Sequence, residues 1–282
     1  MRRYKPRLKD SSAVDIVRGT AGRYPFASIG DGPPLVVFAG LSPSTGVHSN
    51  VVVQGALGPV TALAITRRLV VINRRPRLPR GMTMAELAAE HADALAETFA
   101  LPLDLIGEST GGSIAQQLAA DRPEVVARLV LASTACRLGP LGRDLQRKVG
   151  QAVRAGQHRR ALAVAAASLV PPHRGQSLAA VVGWLSAGRV VKDDGDWADL
   201  ATTIEAEDDF DLAHSAAPIQ ARTLIVGGAQ DRFYSPSLFA ETARLVPNSR
   251  LRLVESRGHI TVLRDPLVRR EIAEFLRLPS TR

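Results

Sequence analysis

Ser109 stands in the run Gly107-Glu108-Ser109-Thr110-Gly111-Gly112. A serine between two glycines at this spacing suits a nucleophile held on a sharp strand-to-helix turn. The hydroxyl has to be exposed on a strained turn, and glycine at the flanking positions lets the incoming strand and the outgoing helix approach each other. A serine hydroxyl is a poor nucleophile at neutral pH, so it needs a base, and the base needs an orienting acid. His259, in Ser256-Arg257-Gly258-His259-Ile260, and Asp231, in Gly227-Gly228-Ala229-Gln230-Asp231, supply one of each in the chain order Ser, Asp, His. The chemistry such a set performs is acyl transfer, which also requires donors for a developing oxyanion. One expected donor is the Thr110 amide, at a helix start where the dipole favours negative charge. The second is the Leu41 amide, in the loop that begins at Gly40. Ser42 reads either as an auxiliary donor or as a loop-turn hydroxyl. Gly40, Ser42, His48 and Glu108 are the remaining pocket candidates.

Each of these residues has to be placed by an element. Residues 101–106 read as an apolar strand leading into the turn, and residues 113–120 as the helix leaving it. Upstream, the pattern predicts a hairpin within residues 13–29, a buried strand at 34–39, a helix over 51–66 despite two glycines, and a strand at 68–73. Thr83 and Glu86 form a capping box that opens a helix to residue 99. Downstream come strands at 126–133, 221–226 and 251–254, with helices at 237–245 and 266–276. Asp231 and His259 then fall just past strand ends, where open α/β sheets build their sites. Asp208, Asp209 and Asp211 precede the next strand and would enter from the wrong end of the sheet.

The rhythm breaks between residues 134 and 215, which read as several short helices, including 144–154, 159–169 and 196–207, with no strand. The chain therefore divides into an α/β core, residues 1–133 and 216–282, and a helical cap inserted at 134–215. The cap is either a structural subdomain or, as its entry directly after the strand following Ser109 favours, a lid over the turn. Its apolar supply includes Leu141, Leu145, Val149, Val153, Leu162, Val164, Leu169, Val181, Val182, Trp184, Leu185 and Trp197. That exceeds what a small satellite core needs, so part of it is expected to face the site.

Composition narrows the class. The chain has 282 residues and is 45% hydrophobic but only 4% aromatic, so its core must be built of Ala, Val, Leu and Ile. One cysteine, Cys136, excludes an internal disulfide, argues against a thiolate metal cluster, and fits a reducing, cytoplasmic setting. His91, His158, His173 and His214 show no metal-ligand spacing and read as incidental, so neither metal nor cofactor is expected. The basic segment 1–10 is not followed by an apolar stretch of signal-peptide length, and no run approaches a membrane span. The formal net charge of +9 raises nucleic acid as a partner. The basic residues are scattered and lack interleaved aromatics for base stacking, so they read as a solvated surface.

From about residue 33 onward the chain resembles the α/β-hydrolase superfamily, specifically its capped Ser-Asp-His members. The matching stretches are Phe38-Ala39-Gly40-Leu41, residues 107–112, residues 227–234 and Arg257-Gly258-His259. Two departures stand out: Ala39 replaces the usual histidine before glycine, and residues 73–79 depart from the usual Asp-x-Arg-Gly-x-Gly-x-Ser loop. The resemblance implies a mostly parallel sheet flanked by helices and a cofactor-independent serine hydrolase, and the serine at 109 sets the chain apart from the aspartate-nucleophile branches. The expected substrate is a carboxylic ester of small or medium apolar character. The same constellation serves lactone, thioester, amide or carbon-carbon bond cleavage, acyl transfer to another acceptor, or, in a different class, a ligand receptor without turnover. Oligomeric state is left open.

Overall fold

The computed structural model describes residues 15–170, 175–190, 194–215 and 217–277. Segment 1–10, the first two residues of the expected hairpin and, within the expected cap, residues 171–174 with His173 and residues 191–193 lie outside them. Eight strands form one sheet: β1 (Val17–Ala21), β2 (Tyr24–Ile29), β3 (Pro34–Phe38), β4 (Arg68–Ile72), β5 (Leu103–Glu108), β6 (Val126–Ala132), β7 (Arg222–Gly228) and β8 (Ser249–Val254). Their order is β1-β2-β4-β3-β5-β6-β7-β8. Antiparallel pairing is confined to β1 with β2 and β2 with β4. From β4 through β8 every neighbouring pair is parallel.

Parallel strands covered on both faces should be apolar throughout, and β3 and β4 are. Val36, Phe38, Val70 and Ile72 point to one face, while Leu35, Val37, Leu69 and Val71 point to the other. The first face is covered by α2 (Met84–Thr98), α3 (Thr110–Asp121) and α8 (Pro236–Leu245), and the second by α1 (Asn50–Leu57) and α9 (Pro266–Phe275). The capping box of α2 forms as expected, with the Thr83 amide donating to Glu86 at 2.8 Å and the Glu86 amide to the Thr83 hydroxyl at 3.2 Å. Cys136 is sealed in the first core cluster.

The expected single helix over 51–66 is instead two pieces, α1 ending at Leu57 and a 3-10 stretch over Gly58–Ile65. Pro59 has no amide to donate and its ring crowds the preceding turn, so the α-helix cannot run through it.

Between β6 and β7 lie α4 (Pro140–Arg154), α5 (His158–Ser168), α6 (Gln176–Val190) and α7 (Asp194–Asp208). Val149, Val153, Leu162, Trp197, Leu200 and Ile204 give α4, α5 and α7 an apolar cluster of their own. Each such side chain withdrawn from water contributes roughly 1.5–3 kcal/mol. His158 stacks on Trp197 at 4.2 Å. Among the described residues, no helix is long and apolar enough to cross a membrane.

Candidate active site

The turn at Ser109 explains its flanking residues. Ser109 adopts φ 50° and ψ −123°, a conformation that costs a non-glycine residue roughly 1–3 kcal/mol. A Cβ on Gly107 would sit 2.5 Å from the Gly112 Cα, and one on Gly111 would sit 2.3 Å from the Phe38 carbonyl oxygen. The strained turn therefore needs glycine on both sides, and it is held from outside. The Ser109 amide donates to Ala132 on β6 at 2.9 Å, and the Gly112 amide donates back to the Ser109 carbonyl at 2.7 Å.

The loops after β7 and β8 bring the other two groups to the same sheet end. His259 Nε2 lies 3.0 Å from the Ser109 Oγ, and His259 Nδ1 lies 2.7 Å from the Asp231 Oδ2. A carboxylate only accepts, so Nδ1 carries the ring proton and Nε2 is left to accept from the serine hydroxyl. The second Asp231 oxygen accepts the Phe233 and Tyr234 amides at 2.8 and 3.3 Å. That fixes the carboxylate's orientation, and its side chain is fully buried. The two loops are tied by the Gln230 amide donating to Arg257 at 2.8 Å. The Ser133 hydroxyl donates to the His259 carbonyl at 2.6 Å. Phe233 and Tyr234 pack against the imidazole with ring centroids 4.8 and 6.0 Å away.

A cavity of about 550 Å³ opens over Ser109. Its sheet side is formed by Gly40, Leu41, Glu108, Ser109, Thr110, Ser133, Phe233 and His259, and its opposite wall by Leu145, Gln146, Val149, Ala165, Ser168 and Leu169 of α4, α5 and the residue after it. The Leu41 and Thr110 amides both border it, and neither donates to another backbone group among the described residues. Thr110 opens α3, where the helix dipole favours negative charge.

Of the residues singled out from sequence, Ser109, Asp231, His259, Leu41, Thr110, Gly40 and Glu108 come together here. Ser42 and His48 do not line the cavity. The Ser42 hydroxyl faces Ser44 at 3.3 Å and its carbonyl accepts from Arg74, while the exposed His48 turns outward with its carbonyl near Arg18. Among the described residues, no group of three His, Cys, Asp or Glu side chains is disposed to hold a metal ion.

Glu207 is a buried residue that sequence reasoning passed over. It is 0% exposed on α7, and its carboxylate accepts from the Thr110 hydroxyl at 2.6 Å, Ser113 at 2.9 Å, Gln146 at 2.8 Å and the Tyr234 phenol at 3.1 Å. Burial and the Glu207 charge push the Tyr234 phenol well above its ordinary pKa, so it remains a donor. The available signal was spacing: at 200, 204 and 207, Glu207 continues the helical stripe of Leu200 and Ile204.

Solved structures share this architecture at low identity. An enol-lactonase from Burkholderia xenovorans LB400 aligns with TM-score 0.70 at 20% identity, over 92% of this chain and 99% of that one. The non-heme bromoperoxidase BpoC from Mycobacterium tuberculosis H37Rv gives 0.67 at 21%, over 95% and 97%. The 2-hydroxy-6-oxo-6-phenylhexa-2,4-dienoate hydrolase of Rhodococcus sp. strain RHA1 gives 0.68 at 17%, over 94% and 100%. These likenesses speak for the fold. Among curated proteins, a polyketide synthase, ThaQ of Burkholderia thailandensis, is 28% identical over 269 residues; the match takes in 91% of this chain but only 12% of that protein. A family model described as alpha/beta hydrolase fold matches residues 72–266. That match takes in more than half of the chain, from the end of β4 to the start of α9, and places it in the alpha/beta hydrolase fold family.

Proposed function

We propose that the protein is a serine hydrolase that works through an acyl-enzyme, with Ser109 as nucleophile, His259 as general base and acid, and Asp231 as the group that orients the imidazole. The observation that carries this reading is the unbroken hydrogen-bonded series Asp231–His259–Ser109, at 2.7 and 3.0 Å, opening into a substrate-sized cavity. Ser109 attacks the acyl carbon as His259 takes its proton. The charge that develops on the acyl oxygen is met by the Leu41 and Thr110 amides, and His259 then protonates the leaving group. Water repeats the attack and frees the acid.

The preferred substrate in this reading is an uncharged ester of small or medium apolar character. Leu41, Leu145, Val149, Leu169 and Ile260 on the cavity wall support it. Residues 134–215 act as the cap, with α4 and α5 roofing the site. Each methylene taken from water into such a cavity contributes about 0.8 kcal/mol, so the specificity constant for p-nitrophenyl esters should rise from acetate with chain length and fall once the cavity is full. A fluorophosphonate should add once to the protein and not at all to Ser109→Ala, read by intact mass. Labelling that persists in that variant rejects the assignment of the nucleophile. A flat ester profile with labelling intact rejects the apolar-ester preference.

A second reading has a specific support. The curated relative is named a polyketide synthase, which favours a thioester-linked acyl chain as substrate. Faster turnover of an acyl N-acetylcysteamine thioester than of the matched oxygen ester, beyond the difference in uncatalysed rates, would select it.

A further inference from the structure

Among the carboxylates that the fold withdraws wholly or in part from solvent, one stands apart. Asp231 accepts from His259 and two amides. Asp199 takes the Arg77 and Leu78 amides at 2.9 and 2.7 Å. Glu207 takes four donors, as above. Asp104, on β5, is held by Arg67 at 2.8 Å and Arg128 at 2.6 Å. Glu108 lies on the same strand, four residues further along and on the same face by the two-residue alternation of a strand. It accepts no hydrogen bond and makes no ion pair with any described residue, and it borders the cavity next to Ser109. Withdrawal from water pushes its carboxyl up to about 8, with no opposing charge to bring it back.

Glu108 is half-buried and opens onto the cavity, so a molecule that fills the cavity takes it out of water, and a polar group left there without a partner costs free energy. The cavity wall includes Gln54, Gly55, Gly58 and Pro59 on the α1 side and Arg264 and Arg269 towards α9, and no hydrogen bond or ion pair joins any of them to Glu108. We infer that Glu108 is a specificity-determining residue, whose carboxylic acid donates a hydrogen bond to a second oxygen of the substrate, a keto or similar carbonyl acceptor set apart from the scissile carbonyl. The substrate is then an oxo-acyl compound rather than a plain aliphatic one. In this form the carboxyl stays uncharged and serves as donor, which suits a cavity otherwise lined mainly by apolar groups. A cationic substrate would instead draw Glu108 into its charged form, and a plain aliphatic chain would leave it unmatched.

This inference rests on the reading of the Ser109 cavity as the substrate site, and the test is chosen to separate the two. Binding is measured by NMR titration on Ser109→Ala, so that turnover plays no part. The ligands are methyl octanoate and its isomers carrying one keto group at successive carbons from C3 to C7. At pH 7 at least one keto ester should bind about five- to tenfold more tightly than methyl octanoate, the gain of one well-placed hydrogen bond over solvent. Glu108→Gln, which keeps a donor, should retain that preference, and Glu108→Leu should abolish it. Raising the pH through 8 should erode the preference with Glu108 in place and leave the Glu108→Gln preference unchanged. Equal or tighter binding of methyl octanoate than of every keto isomer, or the same keto preference in Glu108→Leu, would overturn the inference. Fluorophosphonate labelling of Ser109 alongside either result would leave the serine hydrolase reading standing.

Discussion

The two walls of the cavity are built by different means. The sheet side is wired by backbone: the Ser109 amide to Ala132, the Ser133 amide to Val226 at 2.9 Å, the Ala229 amide to Val254 at 3.0 Å and the Gln230 amide to Arg257. The helical side is joined to it largely by side chains, beside a backbone tie from the Gly139 amide at the start of α4 to the Phe233 carbonyl at 3.0 Å. Glu207 reaches from α7 to Thr110, Ser113 and Tyr234, and Asp199 reaches from the same helix to the Arg77 and Leu78 amides. Backbone ties survive most substitutions, whereas each side-chain tie can be lost in one. On the proposed reading the reacting groups therefore sit in the part of the molecule least sensitive to sequence change, and the apolar cavity wall from α4 and α5 sits in the part most sensitive to it.

The largest expected effect breaks the sheet side alone. Asp231→Asn should lower kcat on the order of 10⁴-fold, because the imidazole loses the partner that fixes its tautomer. Asp209→Asn should stay near wild type in the same steady-state assay. A comparable loss in Asp209→Asn, with Asp231→Asn near wild type, would move the orienting role to the other carboxylate.

The helical side should fail through its tie to the sheet. Glu207→Ala leaves four buried donors without an acceptor, which should cost about 3 kcal/mol in urea denaturation and raise KM more than it lowers kcat. Glu207→Gln should recover part of both. Equal changes in kcat and KM would mean that α7 supports the reacting groups directly.

Acid should weaken the sheet side by a similar amount through His91. The ring is buried between Tyr24 and Phe38, its Nδ1 lies 2.7 Å from the Leu87 carbonyl, and burial lowers its pKa to about 4. An unfolded histidine takes its proton near 6.5, so the folded state binds fewer protons between the two values. That contribution is fully present above pH 6.5 and is lost as pH falls toward 4, by about 3 kcal/mol. Thermal unfolding across this range should be flatter for His91→Gln.

The smallest effect belongs to single wall residues. Leu145→Ala and Leu169→Ala should shift the preferred p-nitrophenyl ester toward longer chains, with roughly three- to tenfold changes in relative kcat/KM and unchanged fluorophosphonate labelling.

What the sequence reveals follows the same division. Ser109, Asp231 and His259 were legible because each must fall just past a strand end and within a small-residue turn, both local properties. The break at Pro59 was legible in principle, since a proline interrupts a helix wherever it falls, but the apolar run around it favoured continuity. On the helical side, α6 was not separately resolved. Its apolar residues Leu178, Val181, Val182 and Leu185 stand exposed, so the stripe that should betray a buried face points outward. The twelve apolar side chains expected there divide: Leu145, Val149 and Leu169 border the cavity, Val153, Leu162 and Trp197 fill the helices' own cluster with Val164 packed against it, and Leu141, Val181, Val182, Trp184 and Leu185 remain exposed. That division depends on how four helices pack against one another, which no local pattern encodes. Glu207 and Ser133 escaped notice because their partners lie 97 and 126 residues away.

The sealed Cys136 makes the molecule a ready subject for distance spectroscopy. Its thiol is 0% exposed in the core, and burial pushes its pKa up, so a maleimide or nitroxide reagent should find no reactive native sulfur. Two cysteines introduced at exposed positions, one at Val181 on α6 and one at Leu267 on α9, would carry the only labels. The separation between them, and its spread with and without a bound phosphonate, would then be a direct ruler for how far the helical wall travels from the sheet.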